Sequence, residues 1–170
     1  MNKLSIFIVV LLLLSTGLIA SQHAETKQPA VERINPPTLY ETFAYTQVTT
    51  VPAGKKLVFV AGQTGRTLNA EGPNTEENSD ACAHSDMRGQ YIVTMENVGK
   101  ALAAAGATWD DVVYIRKFTT DMDAFLEASQ SMPSYWSAGK APASTLIGVA
   151  SLADPCFMVE VDVTAVVDSD

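Results

Sequence analysis

The sequence predicts an α+β fold, in which a mixed β-sheet carries two helices packed on one face. Three observations lead to this class. The chain that follows the N-terminal segment has about 145 residues, which suits one domain. Its predicted elements follow the order β-β-α-β-α-β-β. One strand near the C-terminus alternates strictly between two sets of side chains, as a strand with two different faces does.

The N-terminus predicts export. Lys3 precedes an apolar run from Leu4 to Ala20, and Ala20 and Ala24 are candidate last residues before cleavage. This order is typical of a secretory signal peptide, here residues 1–24. An uncleaved anchor is the alternative, because about 17 apolar residues is at the short limit for spanning a bilayer. We expect a periplasmic or secreted protein without stable membrane association once the signal is removed.

The next segments predict a linker and a first pair of strands. Residues 25–39 are polar and contain several prolines, which predicts an extended linker before a single domain at residues 40–170. Alternation at residues 45–49 and a run of β-forming residues at 56–63 predict two strands. Because a turn at 52–55 separates them, we expect the two strands to form a hairpin.

Two helices are predicted downstream. Apolar residues recur at three- and four-residue steps between Met87 and Ala105. Ser85 or Asp86 can cap this helix, and Gly106 suits its end. A second helix is predicted after Asp121 or Asp123, kinked or ended by Pro133. Tyr135 and Trp136, just beyond it, are interpreted as core or interface packing.

The remaining segments predict three strands, at residues 111–120, 145–149 and 157–167. The last is the clearest, because its odd-numbered positions are all apolar or small. Its even-numbered positions include Glu160 and Asp162. Successive side chains of a strand point to opposite faces, so these two carboxylates are expected on the face away from the core.

Charge and cysteine usage limit the function classes. The 19 acidic and 11 basic residues give a net charge of −8 with no cluster of Lys and Arg, which disfavours nucleic-acid binding. Cys82 and Cys156 are the two cysteines, and export permits a disulfide between them. Closing a loop of about 75 residues would stabilise the fold by about 4 kcal/mol in the chain-entropy model. Two unrelated thiols are the alternative.

The loop at residues 80–86 alternates Asp, Cys and His, which are side chains that bind Zn²⁺ or Cu²⁺. No second Cys/His cluster lies near it in the sequence. We therefore expect neither a metal nor another cofactor.

Seven motifs follow one another along the chain. They are Tyr45-Thr46-Gln47, Val60-Ala61-Gly62-Gln63, Glu96-Asn97-Val98 at the end of a segment that starts at Gln90, Ala103 to Ala107 followed by Asp110 to Val113, Asp121 to Phe125, Pro142-Ala143, and Val159-Glu160-Val161. In this order they resemble the Rid family, the YjgF-like proteins also called the L-PSP endoribonuclease family. The resemblance covers about residues 40 to 167.

The resemblance implies a chorismate-mutase-like fold and a homotrimer with sites in clefts between subunits. It implies that members with a full site hydrolyse reactive enamines and imines, such as 2-iminobutanoate, formed from amino acids by pyridoxal-phosphate enzymes. In such a site an arginine after Pro-Ala binds the substrate carboxylate, and a glutamate on the last strand positions or activates water. A fork-shaped cation suits a carboxylate, and a neighbouring carboxylate can move protons.

Carried over to this chain, the resemblance makes Glu160 the catalytic candidate. Tyr45 and Gly62 match residues that line the cleft. Ser144 occupies the arginine position, and Ser129 the position of an asparagine that often contributes to the site. Loss of a buried charge-assisted contact costs several kcal/mol. The structural alternative for Glu160 is a strand residue paired at an interface or facing solvent.

Three hypotheses for function follow. In the first, the protein keeps a small-molecule cleft between the subunits of a homotrimer, and its deaminase chemistry is lost or altered. The ligand is then a small carboxylate or imine, or a smaller neutral molecule bound by the Ser144 hydroxyl. In the second, Arg66, Arg116 or Lys117 anchors the substrate of a working deaminase. The third, endoribonuclease activity, is disfavoured by the acidic composition and the lack of a catalytic histidine.

Overall fold

The computed structural model of the protein describes residues 30–40, 42, 44–68 and 79–169. The predicted signal peptide, residues 1–24, lies outside these ranges. Among the described residues, no helix has the length and apolar character needed to cross a membrane.

Eight strands and two helices make up the described chain. In order they are β1 (Glu32–Ile34), β2 (Val48–Thr50), β3 (Lys55–Thr64), β4 (Thr67–Leu68), β5 (Ser79–Asp80), α1 (Met87–Ala104), β6 (Val112–Thr119), α2 (Met122–Gln130), β7 (Ala143–Gly148) and β8 (Val159–Asp168). A short 3₁₀ turn at Trp109–Asp111 precedes β6.

The main sheet has four strands in the order β3-β8-β6-β7. Strand β8 pairs antiparallel with both β3 and β6, whereas β6 and β7 are parallel and are connected through α2. The structure therefore confirms the predicted class, a mixed sheet with two helices. Strands β1 and β2 form a separate two-stranded sheet, as do β4 and β5.

The core lies between the helices and one face of this sheet. Val159, Val161, Val163 and Ala165 of β8 are almost fully buried there together with apolar residues of α1 and α2. Burying one such side chain stabilises a fold by about 1.5–3 kcal/mol. The predicted alternation of β8 is confirmed, because its odd-numbered side chains form the core and its even-numbered ones lie on the other face.

The helices begin and end where capping chemistry predicts. The carboxylate of Asp86 accepts a hydrogen bond from the Gly89 amide at 2.8 Å, and that of Asp121 accepts one from the Ala124 amide at 3.0 Å. Each bond satisfies an amide that the first helical turn leaves without a partner. Gly106, just beyond α1, has a positive φ of 71°, which suits a helix end.

Two predictions about the first strands are wrong. Strand β2 pairs with β1 rather than with β3, and β3 pairs along its length with β8. The predicted linker, residues 25–39, is also not a linker throughout, because Glu32–Ile34 forms β1. The guanidinium of Arg33 donates hydrogen bonds to the carbonyls of Asp110 and Val112 at 3.2 and 3.1 Å, which attaches β1 to the domain. These partners are distant in sequence, so local patterns do not reveal them.

The sheet face away from the helices carries exposed apolar side chains. Phe59 is 75% exposed and Leu57 is 49% exposed, both on β3. Tyr114 on β6 is also exposed, and its hydroxyl lies 2.8 Å from that of Thr145 on β7. We call the side of the sheet that carries these residues the open face.

Candidate functional site

A cavity of about 590 Å³ lies between the helix side of the sheet and α2. Its volume is within the range of small-molecule sites. Three of the predicted ligand-binding residues, Tyr45, Ser129 and Ser144, line it together. Most of the remaining lining is apolar or aromatic, including Tyr91, Phe125, Tyr135 and Trp136. We call this space the Ser144 cavity.

The register of β6 and β7 explains why Ser144 faces this cavity. Ser144 lies opposite Ile115, a core residue, and Leu146 lies opposite Lys117. Paired residues of neighbouring strands project to the same face of a sheet. Ser144, Leu146 and Lys117 therefore all point to the helix side.

Lys117 supplies a cation beside Ser144. Its ammonium group donates a hydrogen bond to the Ser144 hydroxyl at 3.4 Å. The ion pairs of the described residues do not include Lys117. Burial disfavours the charged form and lowers the pKa of Lys117 below its ordinary value. The cavity thus holds an amine that is less firmly protonated than a surface lysine.

The two arginines considered as substitutes for the missing cation are engaged elsewhere. Arg66 donates a hydrogen bond to the Ser79 hydroxyl at 2.9 Å and lies over the ring of Phe157. Arg116 makes two hydrogen bonds to the carboxylate of Asp162, at 2.9 and 2.6 Å. Of the three candidates, Lys117 is therefore the one that lines the Ser144 cavity.

Glu160 and Gly62 lie apart from this cavity. Glu160 is opposite Phe118 on β6 and Thr64 on β3, and it alternates with the buried Val159 and Val161. It therefore projects to the open face. A Cβ atom added to Gly62 would overlap the Glu160 carboxylate, at 2.6 Å from its carboxyl carbon. Gly62 thus leaves the space that the carboxylate fills.

A register shift in β3 produces this close approach. The pairing of β3 with β8 is interrupted between Val60 and Gln63, so the segment that contains Gly62 is displaced relative to the partner strand. Such bulges change the direction of side chains at the edge of a sheet. Here the bulge brings the β3 backbone against Glu160.

Two amides of α1 hold the backbone on either side of Glu160. Asn97 donates hydrogen bonds to the carbonyls of Thr64 and Arg66 at 3.1 and 3.0 Å. Gln90 is 1% exposed, and its side-chain carbonyl accepts a hydrogen bond from the Met158 amide at 2.8 Å. Buried amides stabilise a fold when their polar atoms are paired in this way. They fix the end of β3 and the start of β8, which lie next to Glu160.

The structure also joins Cys82 and Cys156 in a disulfide, with 5.2 Å between their Cα atoms. The bond links the loop before α1 to the segment before β8. The buried Gln90 side chain reinforces this link, because it also donates a hydrogen bond to the Cys156 carbonyl at 2.6 Å.

Within one chain, the predicted site residues therefore divide into two groups. Tyr45, Ser129 and Ser144 line the cavity, whereas Gly62 and Glu160 lie on the open face. The contribution of Tyr135 and Trp136 to the cavity wall was not predicted from the sequence. Their position just beyond the second helix and close to Ser129 is the signal that would have suggested it.

Comparison with known proteins identifies the family. The family model described as Endoribonuclease L-PSP matches residues 38–167. The RutC family protein YjgH of Escherichia coli (strain K12) is 30% identical over 106 residues, which are 62% of this chain and 72% of that protein. A solved structure of a YjgH protein is 28% identical, with a TM-score of 0.50, and covers 84% of this chain and 98% of that chain.

A second solved structure supports the same fold. The Rid-family protein YyfB from Yersinia pestis has a TM-score of 0.66 at 24% identity, and the match covers 81% of this chain and 98% of that one. The family model spans most of the chain, and the order of the strands and helices agrees with the motifs. The chain therefore belongs to the Endoribonuclease L-PSP family, the Rid and YjgF-like proteins.

Proposed function

We propose that this protein is a Rid-like homotrimer that binds a small molecule in a cleft between subunits, and that the family's enamine and imine deaminase chemistry is lost or altered in it. The observation that carries this proposal is the composition of the Ser144 cavity. Its described lining contains no arginine, and a serine hydroxyl occupies the arginine position.

This difference changes what the cavity can bind. A hydroxyl is neutral and cannot form the paired, charge-assisted hydrogen bonds that an arginine makes to a carboxylate. Lys117 is a point charge, and burial disfavours its ammonium form. The cavity therefore favours neutral ligands, or small anions held weakly, over the carboxylate of an amino-acid-derived imine.

The open face supports the homotrimer. Phe59 and Leu57 form an apolar surface on the four-stranded sheet, and exposed apolar patches of this kind are typical of contacts between subunits. Glu160 lies on the same face. In a trimer that buries the open face, Glu160 would lie at a subunit boundary, where it could position or activate a water molecule for a ligand held in the Ser144 cavity of a neighbouring subunit.

The decisive experiment measures imine hydrolysis. The purified protein is incubated with 2-iminobutanoate generated in situ, and formation of the oxo acid is followed. We expect no acceleration by the wild type and a gain of activity in Ser144→Arg. Thr145→Arg is the matched control, because it places the same cation one residue away on the open face. Wild-type activity comparable to that of an arginine-containing relative would contradict the proposal.

Ligand binding is tested separately by thermal shift. We expect small carbonyl compounds, acids or amines to raise the melting temperature of the wild type. A binding cleft at the subunit boundary also predicts that Glu160→Ala reduces this shift. Absence of a shift with every compound would argue for a purely structural role.

The second candidate is a working deaminase with Lys117 as its anchor. It is favoured by the 3.4 Å hydrogen bond between Lys117 and Ser144, which places a cation next to the arginine position. In that case the wild type is active, Lys117→Met abolishes the activity, and Lys56→Met, at an exposed lysine of β3, retains it. The same samples can be incubated with RNA to test for ribonuclease activity.

Export is part of the proposal. It is supported by the apolar N-terminal run in the sequence. Fractionation of cells that express the full chain, with mass spectrometry of the mature N-terminus, would show the compartment and whether cleavage follows Ala20 or Ala24. An intact N-terminus in the cytoplasmic fraction would contradict export.

A further inference from the structure

Lys117 has the surroundings of a reactive amine. Among the described residues that line the Ser144 cavity, it is the one with an amino group, and no carboxylate lines the cavity with it. An amine without a carboxylate partner in an apolar environment loses its proton more readily than one in water. The lowered pKa of Lys117 has this physical cause, desolvation by burial.

The neighbouring hydroxyl orients this amine. The hydrogen bond from Lys117 to Ser144 holds the nitrogen at the cavity wall formed by β6 and β7. An arginine at position 144 would place a second cation beside the nitrogen and occupy part of the space in front of it. Ser144 instead leaves a small polar group that can exchange a proton with an adduct.

We propose that Lys117 is a covalent carbonyl-binding site, which forms an imine with small uncharged aldehydes or ketones that enter the Ser144 cavity. This inference rests on the proposed small-molecule function of that cavity. The neutral amine adds to the carbonyl carbon and forms a C–N bond, while the π electrons of the carbonyl move to its oxygen. A proton then passes from the nitrogen to this oxygen and gives a carbinolamine. Loss of water from this carbinolamine gives the C=N bond. No oxidant or reductant is needed, and hydrolysis reverses the reaction.

The lining selects the class of ligand. Phe125, Tyr135, Trp136 and Leu146 offer apolar and aromatic contacts, and the described lining holds no second cation for a carboxylate. The carboxylate of an oxo acid would lose its hydration in this cavity. No cation would replace the lost water, because Lys117 itself becomes part of the imine. An uncharged aromatic aldehyde keeps its apolar contacts and is the expected class.

The test traps the imine on the full chain. The protein is incubated with a low concentration of benzaldehyde and sodium cyanoborohydride, which reduces the imine to a stable benzyl amine, and labelled lysines are found by peptide mapping. We expect Lys117 to be labelled about tenfold faster than the exposed Lys56 and Lys100, since a partly buried amine with a lowered pKa is more often uncharged, and so nucleophilic, at neutral pH. Equal labelling of the three lysines would overturn the inference. Glyoxylate in place of benzaldehyde should label Lys117 more slowly.

Variants and a non-reactive probe separate this inference from the proposed function. Lys117→Met and Lys117→Arg should both lose the rapid label, although arginine keeps the charge. The wild-type peptide map does not depend on whether these variants fold. Benzyl alcohol fills the same space but cannot form an imine. If benzyl alcohol raises the melting temperature while benzaldehyde does not label Lys117, the covalent site is wrong and the cavity stands. If neither compound has an effect, the covalent site is wrong and the cavity does not bind small aromatic carbonyl compounds or alcohols.

Discussion

Arg116 and Lys117 are neighbours on β6, yet the structure gives them opposite environments. Arg116 lies on the open face and binds the Asp162 carboxylate through two hydrogen bonds, which raise its pKa. Lys117 lies on the helix side, beside a serine hydroxyl, and burial lowers its pKa. Because successive residues of a strand point to opposite faces, one step along the chain separates a cation paired with a carboxylate from an amine beside a hydroxyl.

The two faces of the main sheet carry different kinds of side chain. The open face combines apolar side chains with paired charges, as subunit interfaces do. The helix side encloses the Ser144 cavity, where an incompletely satisfied amine faces an aromatic wall. We therefore expect substitutions of the apolar residues on the open face to change assembly and substitutions in the Ser144 cavity to change ligand chemistry.

The largest effect is expected from a charge on the open face. Phe59→Lys places an ammonium group at the centre of the proposed interface, and burying an unpaired charge there costs several kcal/mol. If the proposed trimer forms through this face, the wild type should be trimeric and Phe59→Lys monomeric, as measured by size-exclusion chromatography with light scattering. Val51→Lys, at an exposed apolar residue outside the main sheet, is the control and should stay trimeric. If the Phe59→Lys protein were still trimeric, the open face would not be the interface between subunits.

The next test concerns Glu160 and uses two glycines. Gly62→Ala must move the Glu160 carboxylate, whereas Gly54→Ala meets no atom within 4 Å but must adopt a positive φ of 85°. Each change should lower the free energy of unfolding by about 1 kcal/mol. Gly62→Ala should also reduce ligand-induced thermal shifts, and Gly54→Ala should not. Equal ligand responses in the two variants would show that the position of Glu160 does not matter for binding.

A pH-dependent change is expected at Lys117. The folded state binds a proton there less readily than the unfolded state, whose lysine has the ordinary pKa of 10.5. Wild-type stability at this site therefore rises as the pH increases from below the folded-state pKa towards 10.5. Lys117→Met lacks this dependence, so it should be more stable than the wild type at pH 7, and the advantage should shrink by pH 10. Urea unfolding at pH 7 and pH 10 measures the difference in free energy of unfolding between variant and wild type. Lys56→Met is the control, and its difference from wild type should not shrink between these pH values.

The smallest effect is expected from Arg116 and Asp162. Arg116 has a side chain that is 48% exposed, and water and salt screen exposed ion pairs, so they contribute little to stability. A double-mutant cycle of Arg116→Met and Asp162→Asn, measured on the Phe59→Lys background, should give a small coupling energy that decreases with added salt. A coupling that is insensitive to salt would mean that the pair is shielded from solvent.

Much of the fold could be predicted from local patterns. The caps Asp86 and Asp121, the helix end at Gly106 and the alternation of β8 all depend on neighbours within a few residues. The pairing of β2 with β1 could not be predicted, because it depends on contacts between segments far apart in sequence. The hairpin expected between β2 and β3 was wrong for this reason.

The candidate site was predictable in part. The motifs indicated Tyr45, Ser129 and Ser144, which the structure brings to one cavity. They also indicated Gly62 and Glu160, which lie on the opposite face of the sheet. Their separation depends on strand register, and a shift of one residue would reverse the face of every side chain in a strand. Motif order carries no information about this register.

The sequence by itself determined the family, the class of fold and the replacement of the expected arginine by Ser144. These are properties of residue types and their local order. Only the tertiary structure decided that Lys117, rather than Arg66 or Arg116, lies beside Ser144, and that Glu160 lies on the other face. The reason is physical: alternation within a strand sets which side chains share a face, but pairing between strands sets which of them meet.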